Sequence, residues 1–257
     1  MLGLGNSLSG GAIIDKFSSF AGSFDGSADF VLLPEVAALK PTAALSISLW
    51  AKPNAWDMTN GGNNDYFLGC IAAGGWGIRM ANDGAQRTKI EFIVRVDDSG
   101  AGSAYYITAN VNEATTEALT GWNHIAATYD GTTAKLYVNA GTTGVTNATS
   151  ASDAAIVYHS VASTPIMLGA DAIDDGNAED FYHGLLDDVA IFDAALTAGN
   201  ISTIYNEGVP NNISEMSDLV GYWKFEEGSG TTVEDSSTNS NNGGLGNAWS
   251  WSTDVPG

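Results

Sequence analysis

The sequence is short of several things. It holds a single cysteine, Cys70, so no disulfide can form within the chain and no cysteine-based zinc site exists. Cys70 lies in the apolar run Tyr66-Phe67-Leu68-Gly69-Cys70-Ile71, where a small buried core residue is expected. Basic residues are scarce: 9 Lys and Arg stand against 30 Asp and Glu, for a formal net charge of -21. A chain this acidic repels phosphate backbones, which argues against nucleic acid as a partner. No apolar run reaches the length of a membrane span, so membrane insertion is not expected. The opening Met1-Leu2-Gly3-Leu4-Gly5-Asn6-Ser7 has no basic segment followed by a long apolar one and does not read as a secretory signal. Dinucleotide-binding and P-loop glycine patterns are missing, as is the long strand–helix–strand alternation of a parallel sheet.

What is present is 44% hydrophobic residues, 31 glycines and only 15% charged residues across 257 positions. This suits short strands joined by many turns. Leu45, Ile47, Leu49 and Ala51 alternate on one face of a predicted strand, as do Ile90, Phe92, Val94 and Val96. Tyr66–Ile71 and Trp76–Met80 form a predicted hairpin through Gly74-Gly75. A second hairpin joins Trp122–Tyr129 to Ala134–Asn139 through Asp130-Gly131, a strong turn signal. Further strands are predicted at Phe30–Leu33, Ala104–Ala109, Pro165–Gly169 and Leu185–Phe192, with one short helix over roughly Thr197–Tyr205. The fold class expected is all-β: an antiparallel two-sheet jelly-roll sandwich with one short helix near the C-terminal third.

Four segments in order resemble the laminin-G-like, concanavalin A-like jelly-roll superfamily. They are Ser23–Val31, Leu45–Pro53, Gly121–Gly131 continuing to Leu136–Asn139, and Gly184–Phe192 with Ala195-Leu196 and the helix. A fifth, Leu219–Gly230 with Val233–Ser237, resembles the segment that normally begins such a module, yet here it comes last. The expectation is a circular permutation rather than the start of a second module, because a lone strand would expose Tyr222, Trp223 and Phe225. Residues 1–19 would be an N-terminal arm and residues 20–257 a single domain, with 218–257 as its permuted first strand and loop.

The resemblance implies a calcium ion held between the closing strand and the tail loop. The candidate metal ligands are Asp187, Asp235, Ser237, Asn239 and Asn242; the other reading has Asp187 accepting backbone N–H bonds and the loop as a plain turn. Simple alternation places Leu185, Asp187, Val189 and Ile191 on one apolar face and sends Asp188 to the opposite one. The acidic group Asp171, Asp174, Asp175, Glu179 and Asp180 lacks EF-hand spacing and reads as a solvated loop. Glycoside hydrolases of the superfamily carry Glu-x-Asp-x-x-Glu on one strand; no such pattern is found, and no nucleophile motif flanks His124, His159 or His183. Catalysis is therefore not expected.

For ligand binding, Trp56, Tyr66, Trp76, Tyr105, Tyr106, Trp249 and Trp251 lie in or near loops. Trp56, beside Asp57 and Asn60, and Trp76, beside Gly74-Gly75, are the candidate ligand-binding residues; packing in the core is the competing role. The function expected is a non-catalytic structural or adhesion protein. The start of the chain resembles phage structural proteins of this superfamily, which implies a virion decoration or fibre whose partners are other virion or surface proteins or glycans, with a homo-oligomer left open. The alternative is a carbohydrate-binding module of a bacterial surface or secreted protein.

Overall fold

The computed structural model describes residues 17–56, 64–82, 88–97, 104–111, 116, 118–141, 145–146, 148–149, 155–159, 165–173, 177–247 and 249–257. All but three residues of the expected N-terminal arm, and Asp57, Asn60, Asp174 and Asp175, lie outside them.

The chain opens with β1 (Ala21–Asp25) and β2 (Phe30–Leu32). Their turn is organised by Asp25, whose carboxylate accepts hydrogen bonds from the N–H groups of Ser27, Ala28 and Asp29 and from the Ser27 hydroxyl. Those donors hold the Asp25 carboxyl far below the usual range. The long strands are β3 (Leu45–Pro53), β4 (Asp65–Gly69), β5 (Trp76–Asn82), β6 (Thr88–Asp97), β7 (Ala104–Val111), β8 (Asn123–Tyr129) and β9 (Thr133–Val138). Six two-residue strands follow: β10 (Val145–Thr146), β11 (Ala148–Thr149), β12 (Ala155–Ile156), β13 (Met167–Leu168), β14 (Asp171–Ala172) and β15 (Ala178–Glu179). The closing strand is β16 (His183–Phe192), followed by helix α1 (Ala198–Tyr205). The tail adds β17 (Leu219–Trp223), β18 (Thr232–Val233), β19 (Gly243–Gly246) and β20 (Ser250–Ser252).

Two antiparallel sheets face each other. The first runs β11-β9-β8-β3-β16-β1-β20; the second runs β10-β7-β6-β5-β4-β13-β2-β19-β18, with β12 beside β6. The predicted inward residues form the shared core: Leu45, Ile47, Leu49 and Ala51 from β3 meet Ile90, Phe92, Val94 and Val96 from β6. Phe24, Trp223, Phe225 and Val233 join the same cluster, so the tail is part of the sandwich interior.

The tail strand joins the first sheet beside the closing strand. β17 pairs with the second half of β16, with Trp223 opposite Val189, while β1 pairs with the first half, with Gly22 opposite Leu186. Both run antiparallel to β16 on one flank, so the end of β17 points at the start of β1. Between them β16 bulges: the register shifts across Asp187–Ala190 and Asp188 takes a left-handed φ of 47°. This changes one expectation. Leu186, not Leu185, lies in the core with Val189 and Ile191, because the bulge inserts a residue and resets the alternation.

Helix α1 begins at a reciprocal cap. Thr197 accepts from the Asn200 N–H, and the Asn200 side chain accepts from the Thr197 N–H. It ends at Asn206, which adopts the left-handed conformation. The helix lies on the outer face of the first sheet, where Ile201 meets Ala126 and Tyr137, and Ile204 packs with Ala190, Phe192 and Tyr222. Small outward residues, Ser48, Ala126 and Ala190, leave it room.

Candidate functional site: a pocket on the uncovered sheet

Among the described residues, none forms a helix over the outer face of the second sheet. On β5, β6 and β7 the residues between the core positions point outward: Gly77 and Arg79, then Lys89, Glu91, Ile93 and Arg95, then Tyr106 and Thr108. Ladder pairing sets Arg79 opposite Glu91, Gly77 opposite Ile93, Thr108 opposite Ile93 and Tyr106 opposite Arg95. A depression of about 300 Å³ opens here, lined by Tyr66, Ile71, Ala72, Arg79, Ile93, Tyr106 and Thr108.

Its floor depends on two missing side chains. A Cβ on Gly77 would lie 2.6 Å from Tyr66 Cε1, and one on Gly69 would lie 2.9 Å from Tyr66 Cδ1. With hydrogen at both places, the Tyr66 ring lies against the strand pair and packs with Ile71 and Ile93. The Tyr66 hydroxyl accepts from Arg79 Nη1 at 3.1 Å, and the guanidinium carbon sits 5.5 Å from the ring centroid. Glu91 fixes the other edge of the guanidinium, accepting from Nε at 2.9 Å with Nη2 at 2.8 Å. The second oxygen of Glu91 pairs with Lys89 at 2.6 Å. Among the described residues, three of the five guanidinium N–H bonds are thus occupied, leaving one on each terminal nitrogen.

The rim is fixed from below by Asp171, whose carboxylate accepts from the N–H groups of Ile71 (2.8 Å) and Ala72 (3.1 Å). Burial pushes its carboxyl up to about 7 against those two donors. Asp171 is therefore a buried anchor of the β4–β5 turn and not the solvated loop residue expected from the sequence. On the open side stands Tyr106, 57% exposed.

The residues singled out from the sequence lie elsewhere. Trp76 is fully buried with its indole N–H on the Tyr158 hydroxyl, and Trp56 is 7% exposed with its N–H on the Gly121 carbonyl. Neither ring offers a face on which a ligand could stack, so Trp56 and Trp76 are core residues in place of the expected ligand-binding pair.

The structure also separates the expected metal ligands. Asp235 is a hub whose carboxylate accepts from the N–H groups of Tyr222, Ser237 and Asn241 and from the Ser237 hydroxyl. The Asn242 side-chain oxygen accepts from the Asp235 N–H, and the Asn239 amide donates to the carbonyls of Leu219 and Val220. The loop oxygens are engaged by the loop's own donors and by β17. Asp187 sits at the joint between β1 and β17, with the Ser18 hydroxyl 2.6 Å away and its neighbour's N–H at 2.9 Å. The same Ser18 oxygen lies 2.8 Å from Glu226 Oε1 and 3.0 Å from the Phe20 carbonyl. One hydroxyl proton cannot serve three acceptors. Burial and the adjacent Asp188 push the Asp187 carboxyl well above the usual range. Among the described residues no three His, Cys, Asp or Glu side chains are grouped to hold a metal. The five residues do not fit a calcium ion as placed: Asp187 has no partner in the 235–242 loop, and that loop is closed on itself.

Comparison with known proteins places this geometry. A laminin G-type family model, described as the concanavalin A-like lectin/glucanases superfamily, matches residues 25–202. The chain belongs to that superfamily. Among solved structures, this laminin-G-like jelly roll is similar to a Bacteroides ovatus protein described provisionally as carbohydrate binding. The TM-score is 0.63 at 17% identity, over 93% of this chain and 61% of that one. The chain thus spans about 61% of that protein's length. It is also similar to a heptameric SAP-like pentraxin from Limulus polyphemus, with a TM-score of 0.48 at 19% identity over 78% of this chain and 89% of the other. No curated protein matches it.

Sequence reasoning missed Arg79 and Ile93 and ranked Tyr106 below the tryptophans. The signal was present: Tyr106 and Thr108 fall out of phase with Ile107, Ala109 and Val111, so they must face away from the core.

Proposed function

We propose that this jelly roll is a non-catalytic adhesion module that binds carbohydrate in the pocket between Tyr66, Arg79, Ile93 and Tyr106. The observation that carries the reading is Tyr106: an aromatic ring left open to water beside a polar, hydroxyl- and guanidinium-bearing depression. Sugars present apolar C–H faces and hydroxyl rims, and a flat ring next to fixed donors complements both. Membership of a lectin-containing superfamily and the likeness to the Bacteroides ovatus protein support it. The pocket binds without cleaving: among the described residues no carboxylate lines it, and glycoside hydrolysis needs two. The test is a glycan array followed by calorimetry on the wild type and on Tyr106→Ala. Saturable binding that Tyr106→Ala removes supports the reading; binding untouched by the substitution overturns the assignment of the site.

Within that reading the module works as a virion surface component, a decoration or fibre, and its acidity suits a solubilised exterior part. Light scattering behind size exclusion tests this: a defined oligomer supports assembly, whereas a monomer that binds glycan favours the free carbohydrate-binding module. No helix among the described residues is long and apolar enough to cross a membrane.

A further inference from the structure

Charge on the pocket face runs against the charge of the chain. Acidic residues outnumber basic ones 30 to 9 overall. On the outward positions of β5 and β6 the balance tips the other way: Arg79, Lys89 and Arg95 stand against Glu91 and, at the end of β6, Asp97. These positions are adjacent rows of one ladder, with outward neighbours on a strand about 7 Å apart. Arg95 on β6 and Arg79 on β5 therefore stand about one step, roughly one screening length, from a ligand seated on Ile93, while Lys89 lies two steps away behind Glu91. Glu91 is held by both Arg79 and Lys89, which leaves the group net positive. Arg79 keeps an N–H on each terminal nitrogen, the fork that pairs with a planar or tetrahedral oxyanion. Arg95 stands directly opposite the exposed Tyr106 in the ladder, with one guanidinium nitrogen against the His159 ring and, among the described residues, its remaining N–H groups to offer. Beneath the rim, Asp171 is turned inward onto the N–H groups of Ile71 and Ala72, and Asp180, also close enough to act on Tyr66, accepts from the Asn64 amide.

We propose that the ligand of this pocket is an acidic saccharide, with the sugar ring on Tyr106 and its carboxylate or sulfate group between Arg79 and Arg95. This rests on the glycan-binding reading above and narrows it to a charge class. A neutral sugar would leave the reversal of charge on this face without a counterpart.

The experiment is calorimetric titration of the full chain with three probes: an oligogalacturonate, a sulfated galactan oligomer and an uncharged galactan oligomer, each at about 20 mM and about 300 mM NaCl. The expected result is that one acidic probe binds at least ~10-fold tighter than the neutral one, and that salt erases most of the difference. The two acidic arms separate carboxylate from sulfate recognition. Arg79→Gln and Arg95→Gln should each remove the preference while residual binding still depends on Tyr106. Arg95→Gln removes only an exposed contact to His159, so together with the salt series it decides the matter if Arg79→Gln fails to fold. Equal or tighter binding of the neutral oligomer, sensitive to Tyr106→Ala, overturns the acidic class and leaves the glycan site standing. Absence of binding to any of the three probes and across the glycan array overturns both.

Discussion

The outer face of the first sheet is roofed by α1 and the segment after it, whereas the outer face of the second is open around Tyr106. Under the roof lie His124, Asp188, Phe192 and Tyr222, all buried. His124 Nδ1 and Asp188 Oδ2 have no hydrogen-bond partner there. On the open face the charged groups are paired with one another and still reach solvent. The roofed side gains packing at the expense of stranded polar atoms, which suits a surface selected for stability. The open side is arranged to keep an aromatic and a guanidinium accessible, which suits a surface selected for recognition.

The largest contrast should come from paired truncations. Phe192→Ala, under α1, is expected to cost about 3–5 kcal/mol, because a fully buried ring is replaced by a cavity. Tyr106→Ala on the open face should stay within about 0.5 kcal/mol. Urea unfolding of both variants checks this; similar losses would mean that the two faces are equally structural.

A pH series sharpens the contrast from the roofed side. Burial drives the His124 imidazole down to about 3, with Ser48 its hydrogen-bond partner and Trp50 and Tyr205 around it. The folded state keeps this group neutral while the unfolded chain protonates it near pH 6.5. Its contribution is full above that value and is lost as pH falls towards 3, about 3 kcal/mol between pH 7 and pH 4. Asp188 and Asp171 act oppositely. Burial raises both to about 7, so the stability they lend is present below the ordinary carboxylate range and fades as pH rises towards 7. Measuring stability from pH 4 to pH 7 in the wild type and in His124→Asn isolates the histidine: the variant should lose the acid-side decline. An unchanged slope would mean that His124 is hydrated.

The sequence was most legible where one period governs a stretch. The alternation of Leu45–Ala51 and Ile90–Val96 predicts which side chains meet in the core, and both sets are found there. The tail was legible because Tyr222, Trp223 and Phe225 cannot stay in water, and β17 pairs with β16. The bulge at Asp187–Asp188 was not, since a left-handed aspartate looks like any other in a strand and only the ladder shows the slip. The pocket was illegible for a different reason. Tyr66 reaches the outer face only because Gly69 and Gly77 sit beneath it, and those residues are brought together by pairing, not by nearness in sequence. The tryptophans drew attention as large rings near turns, yet ring size says nothing about which side of a strand is wet.

That dependence on glycine supplies a smaller effect. Gly77→Ala places a methyl 2.6 Å from the Tyr66 ring, so the ring must lift and pull Arg79 with it. The expected loss is about 1–3 kcal/mol, as for other overpacked sites, together with weaker ligand binding. Thermal unfolding and calorimetry on the same sample read both. A stable variant with intact binding would show that the pocket floor tolerates movement and that the flat Tyr66 is incidental.

The smallest change in stability belongs to the residue on which recognition is expected to turn. Tyr106 stands on β7 opposite Arg95, with Thr108 and Ile93 next along the ladder. More than half of its surface is in water, so truncation removes little packing and leaves no cavity. If sugar binding uses the ring face, Tyr106→Ala should lose about 1–3 kcal/mol of binding free energy, while Tyr106→Phe retains most of it because the ring is kept. If the hydroxyl were the essential group, the order would reverse and Phe would be as weak as Ala. Calorimetry on the three proteins, with urea unfolding as the control for fold, distinguishes these outcomes. Two stable variants that bind as the wild type does would move recognition away from the open sheet and remove the functional half of the contrast between the two faces.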